Sequence, residues 1–185
     1  MKTAGLLILT MLPMWGQIKP MASAAPPPNV APIQASRVPW EKITEVERLA
    51  DSKFSTSAKD KLYMLGLTRG LYLSGYGAVF TTELELIDSG PFLPTPFKQT
   101  ITPAEIAQVH KRKVDNVPVL KQIMRDVWTS AAGALNMIPD NEQVVVAVRL
   151  MYHSQWEDTK GLPAQIVVRA DRKALLGGNI QTEEQ

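Results

Sequence analysis

The chain contains no cysteine. This excludes disulfide bonds, a lipid-modified cysteine at the amino terminus and a thiolate nucleophile, and it leaves stability to packing alone. Histidine is scarce too, with only His110 and His153. Serine chemistry lacks its usual signatures. There is no Ser-x-x-Lys, and a Gly-x-Ser-x-Gly elbow around Ser74 would need glycines where Tyr72 and Tyr76 stand. The glycines Gly75 and Gly77 have neither the Lys-Ser/Thr of a phosphate loop nor a third glycine opening a helix, so phosphate cradling is excluded there.

A basic excess is also missing. The chain has 20 Lys+Arg and 18 Asp+Glu. Lys2 and Lys19 fall in a segment that reads as an export signal, and without them the balance is 18 − 18 = 0. Nucleic acid is therefore not an expected partner, because its recognition needs a positive surface.

The export reading rests on Lys2, the apolar run Ala4 to Trp15 and the small residues Ala22-Ser23-Ala24. Cleavage is expected between Ala24 and Ala25, giving a periplasmic or secreted protein that meets the membrane only during export. The run is too short to span a bilayer, which takes about 20 apolar residues. Residues 25–39 (APPPNVAPIQASRVP) read as an extended proline-rich linker. A single domain is expected over 40–178, with 179–185 a disordered tail.

Within the domain, Trp40 to Ala50 has helical spacing and a polar stretch follows. Ser57 and Asp60 have the spacing of a capping box, yet Leu65, Leu67, Leu71 and Leu73 alternate as one face of a strand, which is the preferred reading of 62–73. Ser74 to Gly77 is then a turn. Beyond it Ala78, Phe80, Leu84 and Leu86 point to a core while Val79, Thr81, Glu83 and Glu85 point to solvent. A loop over 88–101 folds Phe92, Leu93 and Phe97 back onto the sheet. Thr102-Pro103-Ala104-Glu105 starts a helix whose apolar stripe reaches Leu135, with a kink or break near 115–117 before Pro118. His110 to Lys113 reads as a solvated basic face. Val144 to Tyr152 is the expected central strand and Gln165 to Ala170 its hairpin partner.

The expected fold is therefore α+β, a two-layer sandwich with a four-stranded, mostly antiparallel sheet in the order β-β-α-β-β under a long helix with a kink or break. Candidate ligand-binding residues are His153, Trp156, Glu157 and Asp158 in the loop 153–163. His153 and Glu157 are the metal-ligating candidates there, and Trp156 could stack on a sugar. No catalytic residue and no cofactor are assigned. The expected function is a non-catalytic interaction or accessory module of the cell envelope, with an unidentified protein or cell-wall component as partner. The alternative is a small metal-dependent hydrolase or a carbohydrate- or peptidoglycan-binding module built on that loop.

Three stretches carry a resemblance: Tyr72 to Phe80 (YLSGYGAVF), Trp156 to Pro163 (WEDTKGLP) and Arg172 to Leu176 (RKALL). The chain resembles small exported bacterial proteins of unknown function, of acidobacterial type, over Leu62 to Gly178. The resemblance implies export and brings no activity, ligand or site residue.

Overall fold

The structure, a computed structural model, describes residues 38–56, 62–92, 100–176 and 180–185. These belong to one unit that begins at Ala35. The export signal with its Ala24–Ala25 cleavage site, most of the linker, the Ser57–Asp60 pair, Leu93, Phe97 and Gly177-Gly178 lie outside the described residues.

Helix α1 covers Trp40–Thr56, longer than its sequence spacing suggests, because Phe54 adds a buried turn to the face of Ile43, Val46 and Ala50. Strand β1 (Tyr63–Met64) and strand β2 (Arg69–Leu73) both pair antiparallel with β3 (Gly77–Glu85), leaving 65–68 as an interruption. The Ser74–Tyr76 turn between β2 and β3 uses positive φ at Gly75 and Gly77. At Gly77 a Cβ would overlap the backbone of Gln143, so close approach reinforces the choice of glycine.

Helix α2 (Pro103–Ala134) starts on the capping box of Thr102 and Glu105. Of the expected kink or break, there is no break: it is one continuous helix with Pro118 inside it. Proline deletes the N–H that would bond the Val114 carbonyl. Val114 is on the exposed side, where water can serve that oxygen, while Leu120, Met124 and Val127 keep packing beneath. The helix lies antiparallel to the strands it covers. Asn116 donates to the Leu86 carbonyl at 2.6 Å, at the end of β3, and Trp128 donates to Val144 at 2.7 Å, at the start of β4.

This helix decides the topology. It carries the chain back along the sheet, so β4 (Gln143–Leu150) runs parallel to β3, from Gly77↔Gln143 to Leu84↔Leu150. Strand β5 (Gln165–Asp171) pairs antiparallel with β4, and β6 (Gln181–Glu184) with β5. The α+β class holds. The four-stranded, mostly antiparallel sheet does not: six strands form a mixed sheet in the order β1-β3-β4-β5-β6, with β2 beside β3. The expected tail supplies β6 because Glu184 pairs with Lys121 and Thr182 accepts from Arg125, both on α2. Among the described residues no helix is long and apolar enough to cross a membrane.

The core lies between helices and sheet, with Phe80, Leu84, Val146, Val148, Ile166 and Trp128 fully or almost fully buried. Among the described residues no helix lies on the other sheet face. The alternating Leu67, Leu71 and Leu73 are on this face and exposed. Gly70 points inward instead, against Phe80 and Ile43. Helix α1 also caps this edge of the sheet. Glu47 accepts from the Gly70 N–H at 2.7 Å and Asp51 from the Thr68 N–H at 2.8 Å, so those outward donors cannot recruit another strand.

Candidate functional site

Strands β3 and β4 are the parallel pair, and their carboxyl ends open into the loops where ligands collect in open α/β sheets. Two loops meet there, 86–92 after β3 and 151–163 after β4. The ladder continues past β4 as Met151 donates to the Leu84 carbonyl at 3.0 Å. Glu85, the last residue of β3, is buried at 6% exposure with His153 beside it, although Glu83 two residues earlier stays exposed. The expectation that both glutamates face solvent therefore fails for Glu85.

His153 places its Nε2 3.2 Å from Glu85 Oε1, and its ring stacks on Trp156 with centroids 5.7 Å apart. Glu157 turns inward. Its Oε2 pairs with Lys113 Nζ at 2.6 Å and its Oε1 accepts from Ser89 at 3.3 Å. The Lys113 ammonium also sits 5.1 Å from the centre of the Tyr152 ring. Tyr152 donates its hydroxyl to the Pro163 carbonyl at 2.6 Å. Burial, and then the nearby Glu157 charge, pushes the Tyr152 phenol above its ordinary range, so it stays a donor. Asp158 remains exposed. Its backbone carbonyl meets His110 Nδ1 at 2.9 Å and its carboxylate accepts from the Lys160 N–H.

The loop 153–163 thus separates the residues that sequence spacing grouped. His153 turns to Glu85, Glu157 to Lys113 and Ser89, and Asp158 to its own loop. Among the described residues no group of three or more His, Asp or Glu converges as a metal site needs. Nor does Ser89 form a relay with His153, since its hydroxyl donates to Glu157. The basic run splits in the same way. Lys111 is exposed beside Asp115, Arg112 lies 5.9 Å from the Phe92 ring centre, and Lys113 is fully buried. Sequence spacing could not reveal Glu85, Ser89, Lys113 or Tyr152, because their partners lie 11 to 68 residues away. A lysine on the inner face of α2, in step with Val109 and Leu120, was the one available signal.

A second feature lies on the open face of the sheet. Cross-strand register places Arg69, Thr81 and Ala147 in one row, with Glu83 and Arg149 in the next. The small side chains of Thr81 and Ala147 leave a depression of about 430 Å³, walled by Leu67, Arg69 and Arg149. A second depression of about 290 Å³ lies between Trp40 and Leu71. Compared with known proteins, the chain matches no family model, no curated protein and no solved structure.

Proposed function

We propose that this chain is an exported, non-catalytic interaction module of the cell envelope, working through the open face and first edge of its sheet. The observation that carries this reading is where the apolar surface lies. Of nine large hydrophobic residues exposed among the described residues, seven are Trp40, Tyr63, Leu65, Leu67, Leu71, Leu73 and Tyr76, and only Val114 and Val119 lie elsewhere. Scattered exposed hydrophobics are ordinary, but clustering along one edge marks a contact surface. With Glu47 and Asp51 capping the β2 edge, contact comes through side chains and not through strand addition. The test is co-sedimentation of the processed chain with isolated envelopes. Leu71→Glu with Leu73→Glu should abolish it without lowering the thermal midpoint, whereas undiminished co-sedimentation would remove this reading. Amino-terminal sequencing of the exported form should begin at Ala25.

A second reading, a carbohydrate or peptidoglycan binder at the loop 153–163, is favoured by one observation. Trp156 stays half-buried beside His153 at the carboxyl ends of β3 and β4. Retention on insoluble cell wall that disappears in Trp156→Ala would support it.

A further inference from the structure

The open face carries more than apolar surface. Arg69 and Arg149 stand on strands β2 and β4 with β3 between them, and Arg149 is two residues along from the Arg69–Thr81–Ala147 row. Strand spacing and rise put their backbones about 12 Å apart. Two arginine side chains reaching inward across Thr81 and Ala147 can close on one small anion over that span. Among the described residues the Arg69 guanidinium has no carboxylate partner, and Arg149 has only Glu83 at 3.4 Å, with both side chains more than half exposed. Such an exposed contact is worth little and yields easily to a better ligand. The charged lining of the depression is two arginines against one glutamate, a net positive mouth. Its volume, about 430 Å³, falls within the range of ligand pockets. The rest is apolar: Ala147 on the floor and Leu67, 63% exposed, on the wall where the chain lifts away between β1 and β2.

We infer that this depression binds a small amphiphilic anion, its charged head held between Arg69 and Arg149 and its apolar body lying on Ala147 and Leu67. The guanidinium fork suits a carboxylate or a phosphate monoester equally in geometry, so the head group is left to the titration. The inference rests on the proposed use of the open face for binding, and it gives that face a ligand chemistry.

The experiment is a titration of the full chain, followed by backbone amide NMR, with hexanoate, hexyl phosphate and neutral 1-hexanol. At least one of the two anions should shift amides in 79–83 and 145–149, more tightly than hexanol, and with affinity that falls as salt rises. The tighter of the two identifies the head group. Arg69→Gln and Arg149→Gln should each weaken binding roughly tenfold or more. Ala147→Leu, which fills the depression while keeping both charges, should abolish it, and the exposed Lys111→Gln should change nothing. Thr81→Leu fills the same space if Ala147→Leu fails to fold. Hexanol binding as well as the anions, binding that survives a filled depression, or no shift with either anion would overturn the inference. Envelope co-sedimentation is read separately, through Leu71 and Leu73. Its loss with anion binding intact would leave a ligand site and remove the envelope partner.

Discussion

Lys113 and Glu157 meet at 2.6 Å with side chains 0% and 1% exposed, and neither has water to fall back on. Breaking such a pair by removing one member leaves a bare buried charge, a loss of about 3–5 kcal/mol. Lys113→Met alone should therefore cost that much in urea unfolding. The double variant Lys113→Met with Glu157→Leu should recover most of it, because apolar replacements of similar volume need no desolvation of charge. Equal losses in the single and double variants would show that packing alone matters there. Tyr152, stacked under the same ammonium, gives a pH signature. Its folded-state phenol titrates above its ordinary value, so the folded chain holds a proton that the unfolded chain releases first. Its stabilising contribution is whole below the ordinary phenol value of about 10 and is lost as pH climbs toward the folded value. The thermal midpoint should fall over that alkaline window, and Tyr152→Phe should flatten the fall.

At the scale of the element, α2 spends its strongest local signal at its start and tolerates its weakest residue in the middle. The Thr102–Glu105 box satisfies amides that would otherwise be orphaned at the amino end. Pro118 is exposed and stays helical because the turns on either side are anchored, by Asn116 on Leu86 and by buried Leu120. It nevertheless forfeits a backbone hydrogen bond. Pro118→Ala should stabilise the chain by about 1–3 kcal/mol, measured as a shift in urea midpoint at unchanged slope. A loss of stability would mean that the proline sets a helix curvature on which the sheet contact depends. The β2 strand shows the reverse case, a weak element held by its neighbours. It has five residues, and its outward amide at Gly70 is held by Glu47 of α1, which is why a carboxylate is buried in that helix.

For the whole molecule, among the described residues, two helices lie on one face of a six-stranded sheet, and β6 is its far edge strand. That strand is fastened at several points. Ala164 and Gln165 donate to the Gln185 carbonyl, Lys121 pairs with Glu184, and Arg125 reaches Thr182. Deleting residues 180–185 should bare the β5 edge, lower the thermal midpoint and promote association visible by size-exclusion chromatography. A monomeric truncation of unchanged stability would show that β6 merely rests on the sheet. The other sheet face underlies the binding surface proposed above, where Leu71 is exposed and Val79, Ala147 and Val167 are half-buried.

Local patterning alone determined the α+β class, both helices, the Thr102 start, the Ser74–Gly77 turn, the inward face of β3 and the central place of Val144 to Leu150. These depend on neighbours two to four residues apart, and such periodicity is written in the chain itself. Tertiary structure decided everything that depends on what arrives from elsewhere. The return path of α2 made β3 and β4 parallel, and anchors on α2 turned an apparent tail into β6. Glu85 is buried beside His153 while Glu83 stays exposed, and Lys113 pairs inward with Glu157 from a basic run that reads as surface. The leucines of 65–73 alternate as a strand should, but alternation states only that two faces differ. The helices pack on the Gly70 side, so those leucines are left exposed.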